Sequence, residues 1–169
     1  LAKQTNPDGS TVEYGYNGNG DRTMEKRKRT LPNNGGSEDL VTGFAYDGNS
    51  RLTSTTNPDN SVTSVIYSPL GLESRRVNQL GKITAFTYDD QARLEVTTYA
   101  QNTPLEATER TEYDAEGRRV ASVDRAGRRT LYDYDLLGRL VKTTLPGSPT
   151  TFTTMEYDSA GRVNRSVDA

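Results

Sequence analysis

The stretch Glu112–Val120, EYDAEGRRV, decides how this chain is read. Tyr113 is followed at once by Asp114, then by two loose residues, Gly117 and Arg118. An Asp at the first position of a type I turn accepts backbone hydrogen bonds, and a Gly at the fourth relieves a positive-φ conformation. Such a turn closes a β-hairpin through a short loop with a bulge. The same order of chemistry returns in Tyr134-Asp135 with Gly138-Arg139, and in Tyr157-Asp158 with Gly161-Arg162. No copy is catalytic in character, so the information lies in the repetition.

Working outward, the tyrosines that precede such a turn are Tyr16, Tyr46, Tyr67, Tyr88, Tyr113, Tyr134 and Tyr157. Subtracting their numbers gives gaps of 30, 21, 21, 25, 21 and 23 residues, a period of 21 with insertions. The next position holds Asn17, Asp47, Ser68, Asp89, Asp114, Asp135 or Asp158. Four residues after the tyrosine stand Gly20, Ser50, Gly71, Ala92, Gly117, Gly138 and Gly161. One further are Arg51, Arg93, Arg118, Arg139 and Arg162, with Asp21 and Leu72 as the departures. These tyrosines, aspartates, glycines and arginines are the expected anchors of the repeat. Five arginines at one phase argue for a structural role, bonding to the aspartate of the turn or to an adjacent strand.

Residues two apart on a strand share a face, which pairs Phe44 with Tyr46 and Tyr132 with Tyr134. Leu52, Leu94, Leu140 and Val163 hold the equivalent place on the return strand, where they can meet those rings, while Glu73 and Arg119 depart from it. A second set of turns falls between the first: NPDGS from Asn6, NPDNS from Asn57, NQLGK from Asn78, DRAGR from Asp124 and LPGSP from Leu145. One unit is therefore strand, D-x-x-G turn, strand, second turn. The expected product is an all-β chain of tandem antiparallel hairpins over a single repeat region, 1–169. Irregular loop insertions are expected near 24–41 and 100–108, where breakers such as TLPNNGGSEDL and AQNTPLEAT lengthen the gaps.

Composition fits a sheet braced by its neighbours better than one with a deep core. Only 31% of the 169 residues are hydrophobic, there is no Trp, and ten Tyr stand against three Phe. An isolated hairpin is marginal in water, so each unit needs the next. Tyr suits this, because its ring removes apolar area while its hydroxyl keeps a polar partner. The 21 basic and 23 acidic residues are interspersed, and net charge is −2, so no global field selects a polyanion. The one basic run, Lys26-Arg27-Lys28-Arg29, reads as part of a solvated loop.

YDGNSRL, YDDQARL, YDAEGRR, YDYDLLGRL and EYDSAGRV resemble YD repeats, also called RHS repeats, and the resemblance runs through nearly the whole chain. It implies a curved or spiral sheet like an arc of an RHS shell, in a secreted or cell-surface protein. In that family such sheets can form a hollow shell enclosing a toxic segment, and related extracellular repeats serve as adhesion scaffolds. The sequence has no counterpart of the DPxGL-containing core that closes many shells, no toxin domain, and fewer units than a full shell, so it is read as a fragment.

Chemistry is sparse. Without His there is no His-containing triad or metal site, and without Cys no thiol chemistry or disulfide. No glycine-rich phosphate loop is present. Carboxylate neighbours such as Glu38-Asp39 and Asp89-Asp90 sit in expected turns or loops, and adjacent strand residues would point apart. Asn17, Asn19 and Asp21 echo a calcium loop, but Lys28 stands where the closing Glu belongs. No catalytic, cofactor-binding or metal residue is assigned, and no cofactor is expected. Asn164-Arg165-Ser166 has the pattern of an N-glycosylation acceptor. The expected function is a non-catalytic structural shell or scaffold segment. Its alternatives are a carbohydrate- or protein-binding adhesion module and a self-associating assembly or fibre. Expected partners are the remainder of a parent chain or its enclosed cargo, further copies, and a surface glycan or protein. Neither membrane insertion nor nucleic acid is expected.

Overall fold

The computed structural model describes residues 1–7, 10–32, 36–147 and 149–169. Parts of the turn sequences NPDGS, PNNGG and LPGSP, including Asn34, lie outside the described residues. Everything described is strand or turn. The chain divides into two compact units, Leu1–Ile83 and Thr84–Ala169. The first carries β1 (Ala2–Thr5), β2 (Thr11–Tyr16), β3 (Arg22–Thr30), β4 (Ser37–Tyr46), β5 (Leu52–Thr56), β6 (Val62–Tyr67) and β7 (Glu73–Val77). The second carries β8 (Ile83–Tyr88), β9 (Leu94–Tyr99), β10 (Ala107–Tyr113), β11 (Arg119–Val123), β12 (Arg129–Tyr134), β13 (Leu140–Leu145), β14 (Thr151–Tyr157) and β15 (Val163–Asp168).

Within each unit the strands follow chain order, and each pairs antiparallel with its chain neighbours. The layer is open and uncurled, which corrects the expectation of a curved or spiral sheet. The physical reason is local. Nothing in a hairpin's own turn and register demands coiling, and the expectation of it came with the resemblance. What the residues themselves dictate, tandem hairpins, is what forms.

A single layer has little interior. Among the described residues only Val12, Ala85, Thr97 and Ala121 are buried, none of them large. Thr, Val and Tyr hold the strands because they suit a pleated, half-covered surface. Along β12 the pattern is clean: Thr130, Tyr132 and Tyr134 are half-buried while Arg129, Leu131 and Asp133 are exposed. The better-covered face is therefore the one that carries the rings.

The long first gap has a different cause from the one expected. Most of the stretch near 24–41 is not an irregular loop but the far half of an extended hairpin, in which β3 and β4 pair from Met24↔Gly43 to Thr30↔Ser37. Beyond the last pair, Leu31 N–H donates to the Gly36 carbonyl at 2.9 Å. Charge explains the zipper. Lys26 meets Asp39 at 2.7 Å and Arg29 pairs with Glu38 directly across the ladder, while Arg27 meets Glu25 of its own strand at 2.6 Å. The basic run thus lies on a strand rather than in a solvated loop, and the same pairing puts Glu38 and Asp39 on β4. The other insertion is a loop: residues 100–106 turn through Ala100 and Asn102, both at positive φ, before β10 begins at Ala107.

Candidate functional site

The turns that follow the tyrosines line one rim of each unit, and the second set lines the other. At the tyrosine rim of the second unit, Asp114 N–H donates to the Arg118 carbonyl at 3.0 Å and Gly117 N–H donates to the Asp114 carbonyl at 3.0 Å. The Asp114 carboxylate grips the loop from inside. Its Oδ1 accepts from Arg118 N–H at 2.8 Å, and its Oδ2 accepts from Arg118 Nε at 2.7 Å. The register slips between Glu112 and Tyr113, which is the bulge that lets five residues close the hairpin. Asp47–Arg51, Asp89–Arg93, Asp135–Arg139 and Asp158–Arg162 repeat this grip, with Nε to Oδ2 distances between 2.6 and 2.8 Å.

The arginine then reaches into the next hairpin. Arg51 lies over the Tyr67 ring at 4.5 Å, Arg93 over Tyr113 at 4.5 Å, Arg118 over Tyr134 at 5.1 Å and Arg139 over Tyr157 at 4.5 Å. A planar guanidinium attracted by a ring's negative face is the physical basis of the contact. Each of those tyrosines also donates its hydroxyl backward, to the carbonyl of the residue after that arginine. Tyr67 bonds Leu52 at 3.0 Å, Tyr113 bonds Leu94 at 3.2 Å, Tyr134 bonds Arg119 at 2.9 Å and Tyr157 bonds Leu140 at 2.7 Å. The result is a rung of carboxylate, guanidinium and ring joining consecutive hairpins. Phe could supply the ring but not the hydroxyl, which explains the bias toward Tyr.

Glycine serves two purposes here. Gly71 and Gly117 hold φ of 82° and 84°, and a Cβ on either would stand 3.0 Å from Arg51 Nη1 or 3.3 Å from Arg93 Nη1. Arg93 Nη1 also makes a long contact of 3.4 Å to the Asp114 carbonyl. The first rung is built differently. Asn17 takes the aspartate's place, its Oδ1 accepting from Asn19 and Asp21 N–H, while Asp21 stands in the arginine's place. Asn17 Nδ2 donates to Asp21 Oδ2 at 2.9 Å, and Ser50 Oγ of the next turn donates to the same oxygen at 2.9 Å. Where the arginine becomes an aspartate, the next turn's glycine has become a hydroxyl donor. This turn's polar groups bond one another, and among the described residues no group of three or more acidic side chains gathers to hold a metal.

The remaining anchors take their places. Gly20, Gly138 and Gly161 hold positive φ at the fourth turn position, as do Ser50 and Ala92 without the freedom of glycine. Tyr46 donates to the Arg22 carbonyl at 2.9 Å, and Arg22 lies over Phe44 at 4.9 Å. Tyr16 and Tyr88 sit opposite Arg22 and Leu94. Leu52, Leu140 and Val163 stand across from Tyr46, Tyr134 and Tyr157.

The carboxyls of the grip sit below the usual carboxylate range. At Asp47 and Asp124 the leading cause is the side-chain hydrogen bond from Arg51 or Arg128. At Asp89, Asp135 and Asp158 it is the backbone N–H of Arg93, Arg139 or Arg162. At Asp114 the largest influence, desolvation, pushes upward, and the bonds from Arg118 together outweigh it.

Two features escaped the reading of the sequence. The cross-hairpin stack joins residues such as Arg51 and Tyr67 that no local motif links. On the opposite rim, Tyr99 donates to Glu109 Oε2 at 2.8 Å, Arg125 donates to Glu109 Oε1 at 2.9 Å, and Arg125 covers the Tyr99 ring at 4.3 Å. Glu109 raises the Tyr99 hydroxyl above its ordinary pKa, first through that hydrogen bond. No helix is long and apolar enough to cross a membrane among the described residues.

Comparison with known proteins bears on the repeat. Curated proteins give no match. Among solved structures the fold is similar to crystal structures of TcdB2-TccC3-Cdc42 (TM-score 0.55, 13% identity) and TcdB2-TccC3-TEV (TM-score 0.52, 15% identity), each alignment covering 95% of this chain. The crystal structure of TcdB2-TccC3 aligns over 94% of this chain with a TM-score of 0.53 and 15% identity. The chain spans only 11% of the length of each of those chains. The family profile described as RHS Repeat matches residues 113–151, the stretch that holds the Asp114–Arg118 and Asp135–Arg139 grips. That stretch is thus an RHS repeat, also called a YD repeat, and the same turn recurs along both units.

Proposed function

We propose that the chain is a non-catalytic stretch of wall in a larger secreted or cell-surface RHS-repeat protein, and that residues 1–169 form one repeat region of it. Its work is mechanical: to hold an enclosed cargo segment or to space another module. The tyrosines, aspartates, glycines and arginines of the turns act as the anchors that tie each hairpin to the next. The observation that carries this reading is the rung itself. Its polar groups are spent on one another, with carboxylate on guanidinium, guanidinium on ring and hydroxyl on carbonyl. A site for chemistry would leave some of them aimed at a substrate. Sugar stacking on Tyr67, Tyr113, Tyr134 and Tyr157 is disfavoured for the same reason, since one ring face and the hydroxyl are engaged.

The test is made in the parent protein. A Tyr134→Ala, Arg118→Ala double variant opens one rung, and limited proteolysis then follows the enclosed segment. Faster cleavage of that segment, with the wall otherwise intact, is the expected result. A parent in which nothing is shielded, before or after the change, would remove the enclosure reading. Saturable binding of a glycan on an array would favour the adhesion alternative.

A further inference from the structure

The basic run Lys26-Arg27-Lys28-Arg29 lies in the insertion that lengthens the first gap, and the long β3–β4 hairpin carries it past its neighbours. β2 stops pairing with β3 at Val12↔Arg27, and β5 pairs with β4 only from Gly43↔Thr56. The pairs Lys28↔Asp39, Arg29↔Glu38 and Thr30↔Ser37 therefore hold each other and no third strand. Open clefts flank this ribbon, one of about 290 Å³ beside Lys28 and Ser10, the other of about 500 Å³ beside Arg29 and Asp59. Residues 27–30 are exposed, the Arg27 and Arg29 side chains by 63% and 60%.

Four places in the chain set basic residues side by side: 26–29, 75–76, 118–119 and 128–129. The other three are engaged. Arg118 is gripped by Asp114 at 2.7 Å and covered by Tyr134, and the Arg119 guanidinium lies over Tyr132 at 4.3 Å. Arg128 is held by Asp124 at 2.7 Å, and Arg129 Nη1 bonds Glu112 at 2.7 Å. Both oxygens of Glu73 chelate Arg76 at 2.8 Å, in a strand laddered to β6 at Arg75 and Arg76.

We infer that the Arg29–Thr30 peptide bond is a processing site for a dibasic-specific endoprotease, one whose adjoining substrate pockets are acidic. Such an enzyme takes its substrate as an extended strand, with side chains alternating into pockets. Lys26 to Thr30 already has that backbone, and freeing its end opens three pairs of a single ribbon. The one ion pair that must part there, Arg29 with Glu38, is a surface pair and weak. The enzyme adds water across the bond: Arg29 keeps the new carboxylate and Thr30 takes the new amine. Both products stay in place, because the pairs from Met24↔Gly43 to Lys28↔Asp39 and the Lys26–Asp39 bridge still join β3 to β4. The cut turns a covalent hairpin of the first unit into a seam closed by non-covalent bonds alone. The inference rests on register and exposure and stands apart from the enclosure reading.

The test incubates the full chain with a limiting amount of a purified endoprotease that cuts after Lys-Arg and Arg-Arg, and weighs the products by intact mass spectrometry. The expected first products are residues 1–29 and 30–169, which co-elute on gel filtration until urea parts them. Arg29→Gln slows that cut at least about a hundredfold. Glu38→Gln, which releases Arg29, speeds it about two- to fivefold, because cleavage follows the opened population. First cleavage after Arg76, Arg119 or Arg129 would overturn the assignment. So would a folded chain left whole while a peptide of residues 22–32 is cut, or equal rates with and without Glu38→Gln.

Discussion

Arg118 and Arg128 stand on opposite rims of the second unit, and each is held by the aspartate four residues before it, Asp114 or Asp124, at 2.7 Å. The turns match down to the positive φ of Gly117 and Gly127, 84° and 74°. Yet the Arg118 side chain is 33% exposed and that of Arg128 is 67% exposed, because Tyr134 covers the first and no ring covers the second among the described residues. The comparison separates two jobs that one motif could be taken to do together. Asp and Gly shape a turn on either rim, whereas the arginine that grips the aspartate is covered only where the following hairpin supplies its tyrosine.

Acid should erase the distinction, and with the largest effect. The turn carboxyls on both rims are depressed, so their contribution is complete above the unfolded-state value of about 4 and is lost as pH falls through the lower folded values. Thermal melts followed by circular dichroism should be level from neutral pH down to about 5 and fall steeply below about 4. A level profile down to pH 2 would deny the grip.

Tyr134→Ala removes a half-buried ring and its hydroxyl together and should cost about 2–3 kcal/mol in urea unfolding. Hydrogen exchange should show the loss concentrated in β11 to β13. Gly117→Ala should cost about 1–2 kcal/mol through positive φ alone. Gly127→Ala shares that strain, so any excess at Gly117 measures displacement of the Arg93 guanidinium, 3.3 Å from where the new Cβ would be. Tyr134→Phe keeps the ring and loses only the bond to the Arg119 carbonyl, about 1 kcal/mol. Arg128→Ala on the open rim should stay within about 0.5 kcal/mol. If it cost as much as Arg118→Ala in the same melts, the rims would be equivalent and the comparison wrong.

Legibility in the sequence followed distance along the chain. Asp114 to Arg118 is one turn, and its Asp, Gly and bulge could be named from spacing. The stack of Arg118 on Tyr134 crosses hairpins and depends on register, so the repeat announced both residues without announcing that they touch. The stretch 24–41 misled for a related reason. Breakers in TLPNNGGSEDL suggested a loop across the whole stretch, whereas the complementarity of Arg29 with Glu38 and Lys26 with Asp39, which pairs it as strands, is visible only once the strands are laid side by side. Curvature was the least legible, being inherited from the resemblance and written in no particular residue.

The register slip just before each tyrosine has a consequence for how such a chain can change over generations. Every slip restarts the count of residues, so a hairpin lengthened by several pairs, as β3 and β4 are, hands the next tyrosine the same partner geometry as before. Insertions and deletions are absorbed where they occur and are not passed down the line. A repeat made this way can alter in length one hairpin at a time while the joint between hairpins stays the same.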